Sequence, residues 1–319
     1  MSRHKIIVNP ISGRGAGERA IPLIQQQLSG YGLEFQVERT ERPWHAVEIA
    51  QRAASDGFDV VVAVGGDGTA NEVLNGLMLA KEAGYGQCAM GLIGVGRGND
   101  FAFGMGVLPG VEAGCQILAQ GYNHIVDVGR VVGGLFPQGR YFGNGVGVGF
   151  DAVVGFVALK MTHLSGFVSY IVAALKTIFL YYQAPLVRIE YDGQVMNQRS
   201  LMVSVMNGRR MGGGFMMAPQ SHNDDGLFDL CIARQVSRAK IFALILKFMK
   251  GTQATQKSIT MDKAHHVVVT AVEGVLPAHA DGETLCEDGK QLTMELLPNQ
   301  IKMLCKPPET TQQPQLNGL

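Results

Sequence analysis

From Lys5 to about Val126 the apolar positions fall into two kinds of run that alternate along the chain. Short strand-like runs, "KIIV", "LEFQVER", "DVVVAV" and "AMGLIGV", are separated by "AIPLIQQQL", "HAVEIAQRAAS", "ANEVLNGLMLA" and "VEAGCQILAQ". In the second set the apolar residues recur by threes and fours, as on the buried face of a helix. Strands alternating with helices predict a parallel sheet covered on both faces, with ligands at the carboxyl ends of the strands. The glycine-rich segments "NPISGRGAG" and "GRGNDFAFGMG" fall at those ends.

After about Asp127 the texture changes to short alternating runs broken by turns, such as "YFGNGVGVGFD", "VRIEYDGQV", "LMVSVMNG", "FDLCIA" and "HHVVVTAV". Asp-Gly pairs at Asp192, Asp225, Asp281 and Asp288 suit hairpin turns, so the second region reads as a β-sandwich. Two helical inserts interrupt it, Leu164 to Tyr182 and Arg238 to Lys250. The expected organisation is an α/β domain over residues 1–126, a β-sandwich over 127–306 and a disordered tail, "PPETTQQPQLNGL", over 307–319.

Composition narrows the field. The 319 residues carry 27 basic and 27 acidic side chains, so no global field attracts nucleic acid, and any attraction to a membrane must be local. Five separated cysteines without a C-x-x-C pair argue against disulfides or a zinc site and fit a reducing cytosol. A strand begins at Lys5, which leaves no room for a secretory segment, and the apolar stretch Val168 to Val187 is broken by Lys176, Gln183 and Pro185. The latter reads as an amphipathic helix that packs on the protein. In "RAKIFALILKFMK", Lys240, Lys247 and Lys250 project from one side and Ile241, Ile245, Phe248 and Met249 from the other, a pattern of interfacial helices and equally of helices covering a sandwich.

The stretch "FDVVVAVGGDGTANEVLNGL" concentrates the chemistry. Thr69 to Glu72 fits a capping box, but a strand-to-helix turn does not require both Gly65 and Gly66. Two residues without side chains at a helix N-terminus let backbone N–H groups approach a phosphate. Asp67 would be unfavourable there unless a metal ion or a proton transfer involves it. The P-loop pattern G-x-x-x-x-G-K-[ST] and G-x-G-x-x-G after the first strand are both absent.

The ordered series "NPISG", "VGGDGTANEVLNGL", "GRGNDFA", "NGVGVGFDA", "GGGFMMAP", "DDGLFDL" and "ADGETL" resembles the diacylglycerol kinase catalytic-domain family of lipid kinases, which includes sphingoid-base and phosphatidylglycerol-type kinases. The resemblance implies a nucleotide domain related to those of NAD kinases and phosphofructokinases, a C-terminal β-sandwich, and a cleft where ATP meets a lipid hydroxyl. It places Asn9, Thr40, Gly65, Gly66, Asp67, Gly68, Thr69 and Asn71 at ATP, and Arg97 where the family often has a threonine. It implies a Mg²⁺ site at Asp225 and the carbonyl of Leu227, with His222 or Asp224 beside them. Glu283 corresponds to the proton acceptor; read from its residues alone, Asp281-Gly282-Glu283 is a hairpin turn. Asp67, beside the phosphates, is expected to remain ionised and to organise the site. Trp44 stands where the family has a small residue, which points to a packing role.

The expected activity is ATP-dependent phosphorylation of a membrane lipid at a peripheral contact, with diacylglycerol the first candidate and sphingoid bases or phosphatidylglycerol as alternatives. An NAD kinase and a nucleotide-binding regulator without catalysis are the readings from other classes. Nucleic acid is excluded as a partner, and self-association into a homodimer is kept open.

Overall fold

A computed structural model describes residues 2–86, 88–161, 166–180 and 184–307. Four parallel strands, β1 (Arg3–Val8), β2 (Glu34–Arg39), β3 (Val60–Gly65) and β4 (Ala89–Gly94), lie in the order β2-β1-β3-β4. Helices α1 (Ser12–Gly30), α2 (His45–Ser55), α3 (Asp67–Glu82), α4 (Asp100–Gly104) and α5 (Val111–Gln120) connect and cover them. Contacts of α1 with α5 and of α2 with α3 form two separate layers. The apolar runs Ile6 to Val8 and Val61 to Val64 are almost fully buried between these layers, as strands of a doubly covered sheet must be.

The second region holds β5 (Asn123–Gly133), β6 (Phe136–Phe142), β7 (Gly145–Gly149), α6 (Phe150–Leu159), α7 (Gly166–Leu180), β8 (Leu186–Tyr191), β9 (Gln194–Met206), β10 (Phe228–Arg234), α8 (Arg238–Lys250), β11 (Ile259–Ala264), β12 (His266–Glu273), β13 (Leu276–Ala280), β14 (Glu283–Gly289) and β15 (Gln291–Leu304). One layer runs β6-β5-β15-β12-β8-β9 and the other β14-β13-β7-β9-β10-β11. The long strand β9 serves both: its first half pairs with β8 and its second half with β7 and β10. Between the layers sits an apolar core that includes Phe142, Val205, Phe228 and Leu292.

Several expectations change. The boundary read near Asp127 falls within β5, and β15 pairs with β5 on both sides of that point before meeting β4 at Met303 and Met90, so the α/β sheet and the sandwich are continuous. Of the four Asp-Gly pairs, only Asp192-Gly193 and Asp281-Gly282 close two-residue hairpins, both with positive φ at each residue. Asp225-Gly226 is a turn ahead of β10, and Asp288-Gly289 ends β14 without a β14–β15 pairing. A helix that the alternating pattern concealed, α6, packs with α7 and β13 and joins α7 and α8 in a third apolar cluster. Leu164 and Tyr182, the ends of the expected insert, and residues 308–319 of the expected tail lie outside the described residues. Among the described residues no helix is long and apolar enough to cross a membrane.

Candidate active site

Loops leaving β1, β3 and β4 converge at one sheet edge. A Cβ on Gly96 would come within 2.3 Å of the Gly66 Cα, and one on Gly13 within 2.1 Å of the Val95 carbonyl oxygen. Neither Gly65 nor Gly66 has a positive φ, so close approach is what excludes side chains here: a Cβ on Gly65 would meet Thr69 Oγ1 at 2.3 Å. Asn9 Nδ2 donates to the same hydroxyl at 3.1 Å, and Thr40, just past β2, donates its N–H to the Val8 carbonyl.

The capping box does not form. Helix α3 starts at Asp67, with Gly66 as N-cap and no side-chain cap, so its first-turn N–H groups are oriented as donors for an anion. Glu72 turns instead to the neighbouring helix and accepts the N–H of Ala46 at 3.1 Å and that of Trp44, which holds Trp44 at φ 66° as the N-cap of α2.

Asn71 is fully buried and its amide is engaged within the protein. Its Nδ2 donates to the Tyr141 carbonyl at 2.9 Å and to Asp281 Oδ2 at 2.8 Å, while its Oδ1 accepts from Arg140 and Asn75. The expectation that this side chain touches ATP is therefore corrected: it joins α3 to the second region. Asp281 accepts three further N–H bonds, from Gly143, Asn144 and Gly145.

The carboxylates carry the electrostatics. Asp67 Oδ1 accepts the Phe101 N–H at 3.0 Å. Burial, reinforced by the nearby Asp100 and Asp281, pushes Asp67 up to about 7 against the pull of the Phe101 and Asp100 backbone donors. Asp100 receives the Arg210 Nε at 2.7 Å and the Gly213 N–H at 2.9 Å; burial still raises it. Across from Asp67, the exposed Glu283 opens β14 so close to α3 that a Cβ on Gly68 would lie 2.4 Å from its Oε1. Arg97 is partly buried, and its charge acts on Tyr170 of α7.

Asp67, Asp100 and Asp281 also border a cavity of about 110 Å³ that runs between α6, α7, α8 and β9. Phe150, Val154, Met202, Met211, Ile241 and Phe248 make most of its wall apolar. Asp151 and His279 also interrupt that wall, and a Cβ on Gly147 would meet both, Asp151 Oδ2 at 2.5 Å and His279 Nε2 at 2.6 Å. Burial pushes Asp151 up to about 7 and His279 down to about 4, so the imidazole is neutral at pH 7. It accepts the Gly282 N–H at Nδ1, which leaves its proton on Nε2.

The residues expected at Mg²⁺ do not assemble as a metal site. Asp225 Oδ1 accepts the Leu227 N–H, and Oδ2 receives the Lys263 ammonium at 2.6 Å. That ammonium also lies 3.4 Å from Asp229, while Asp224 bonds His124 and His222 is exposed. A divalent ion at Asp225 would have to displace or repel this ammonium. Among the described residues no cluster of three or more His, Cys, Asp or Glu could hold a metal ion.

Sequence reading marked Asp67, Glu283 and the loop that ends at Asp100, and did not single out Arg140, Asp151, Arg210 or His279. Asp151 lay inside "NGVGVGFDA" and Arg210 beside "GGGFMMAP", but no spacing rule aims either side chain inward.

Residues 3–131 match the diacylglycerol kinase catalytic domain profile, and residues 144–305 match that of the YegS C-terminal NAD kinase beta sandwich-like domain. Among curated relatives, diacylglycerol kinase of Bacillus subtilis (strain 168) is 29% identical over 89% of this chain and 90% of its own length. Diacylglycerol kinase of Staphylococcus carnosus (strain TM300) is 26% identical over 88% of each chain. A crystal structure of a diacylglycerol kinase from Bacillus anthracis str. Sterne shares the fold with a TM-score of 0.72 and 22% identity, covering 96% of this chain and 97% of that one.

Proposed function

The chain belongs to the diacylglycerol kinase catalytic-domain family with a YegS-like C-terminal domain, and on that premise we propose that it transfers the γ-phosphoryl group of ATP to the hydroxyl of a membrane lipid, diacylglycerol first among them. The observation that carries this reading is the position of Asp67, which lies at the N-terminus of α3 and also borders an apolar cavity. Phosphates suit the first site, and an acyl-bearing alcohol suits the second. ATP supplies the phosphoryl group. The protein supplies position and charge, since phosphoryl transfer asks little covalent chemistry of it.

Asp67 and Glu283 compete for the acceptor's proton. Asp67 borders the cavity, and its proton affinity lies close to neutrality, where a general base is most effective. Glu283 stands on the other side of Gly68 and is exposed. This geometry favours Asp67 as the base and Glu283 as an organiser of the α3 terminus, reversing the roles expected from the sequence.

The surface of α8 supports a membrane as partner. Ile241, Leu244, Ile245 and Phe248 face inward and line the cavity. Phe242, Leu246 and Met249 are 40%, 59% and 37% exposed and share the outer surface with Lys240, Lys247 and Lys250. Met249 is thus on the outer face, and the helix joins an apolar and basic surface to the cavity wall, as an interfacial helix would.

The test is transfer from radiolabelled ATP to diacylglycerol, sphingosine, phosphatidylglycerol and ceramide in mixed micelles, with NAD as a separate substrate. Phosphatidic acid is the expected product. Label on NAD alone, or ATP binding without transfer to any acceptor, would overturn the lipid-kinase reading in favour of an NAD kinase or a regulator respectively.

A further inference from the structure

Trp44, Phe136 and Arg140 form a group that the proposed chemistry has not used. Trp44 comes from the cap of α2, whereas Phe136 and Arg140 come from β6 in the second region. The Arg140 guanidinium carbon lies 4.4 Å from the Trp44 ring centroid and 4.9 Å from that of Phe136, and the two rings are themselves 5.7 Å apart. A planar guanidinium held against aromatic rings is fixed in direction as well as position. Arg140 directs both Nε and Nη2 at Asn71 Oδ1, at 3.0 and 2.6 Å, and is only 3% exposed. Its charge acts on Glu283 and Asp281 from the hairpin and on Glu72 from α3.

We propose that Arg140 is a positioning residue that locks the N-terminal part of α3 against the β13–β14 hairpin, and so holds Glu283 beside Gly68. The bridge runs in one chain: Trp44 and Phe136 orient Arg140, Arg140 fixes Asn71, and Asn71 donates to Asp281 two residues before Glu283. A lysine could supply the charge but neither the paired bonds to one oxygen nor the planar contact. The proposal rests on the lipid-kinase reading for its kinetic consequence, and its geometry is open to a separate test because Trp44 is the sole tryptophan of the chain.

The experiment compares the full-length parent, Arg140→Met and Arg140→Lys, each alone and combined with Glu283→Gln, by tryptophan emission, melting temperature, ATP affinity and kcat. Arg140→Met is expected to shift Trp44 emission to longer wavelength, to lower kcat about 10- to 100-fold and to change ATP affinity less than about threefold. Arg140→Lys recovers part of kcat. In the Glu283→Gln background the same replacement should cost less than about threefold further, because the residue through which it acts is already disabled. An equal loss in both backgrounds, tracking the melting temperature, would make Arg140 a stabilising residue only and overturn the proposal, as would unchanged emission in folded Arg140→Met. A parent that phosphorylates no lipid would sink the kinase reading, and the emission shift would still decide whether the stack exists.

Discussion

Asn71 of α3 and Asp281 of the β13–β14 hairpin stand 210 residues apart in the chain and share a buried hydrogen bond of 2.8 Å. The bond ties the phosphate-type loop of the first region to the hairpin that carries Glu283. Both groups are otherwise saturated by protein partners, so the junction is a fully satisfied polar network, which fixes a single relative placement of its members.

Asp67→Asn should fold normally and lose about 10³-fold in kcat, because an amide cannot take the acceptor's proton. Glu283→Gln should lose less, about 10- to 100-fold, with a small change in ATP affinity. Parallel measurement of kcat with a short-chain diacylglycerol and of ATP binding by calorimetry separates the roles. If Asp67→Asn keeps most of its turnover and Glu283→Gln does not, the proton goes to Glu283.

Asp151 gives a pH dependence with a definite sign. Its folded value of about 7 lies above its ordinary value of 3.8, so between these limits the folded chain keeps a proton that the unfolded chain has released. Stability therefore falls as pH rises through this window, by up to about 1.4 kcal/mol per pH unit for one such group, and the loss is complete above about pH 7. Asp151→Asn should flatten that fall. Denaturant midpoints for the two proteins at pH 5 and pH 8 check this; parallel pH profiles would exclude a buried titration at Asp151.

The turn around Asp225 should not depend on divalent metal for its stability, because Lys263 already balances Asp225 and Asp229. Melting in Mg²⁺ and in EDTA should coincide for the parent. Lys263→Met should lower stability by about 1 kcal/mol, a modest figure because the ammonium is partly exposed. A rise in the parent's melting temperature with Mg²⁺ that Asp225→Ala abolishes would restore the metal site.

Replacing Lys240, Lys247 and Lys250 together with glutamine should weaken binding to anionic vesicles by about 1 kcal/mol per charge, and the effect should shrink at high salt. Co-sedimentation with phosphatidylserine-containing vesicles measures it. Equal binding by parent and triple variant would assign the exposed face of α8 to solvent.

Local periodicity and chain order already carry part of this architecture. Four apolar strands alternating with helices specified the parallel sheet, and Asp192-Gly193 specified a hairpin, because both depend on residues close together in the chain. The ordered motifs also mark Asp67 and Glu283. Features that depend on approach between distant segments arise only in the folded chain. Whether Gly65 and Gly66 serve dihedral freedom or close packing depends on Thr69 and Gly96; whether Glu72 caps its own helix or the preceding one depends on how α2 docks. Continuity between the two regions rests on β15 returning to β4 and β5. The proton affinity of Asp67 follows from burial and from Asp100 and Asp281, and burial is a property of the folded surroundings that no stretch of sequence around residue 67 contains.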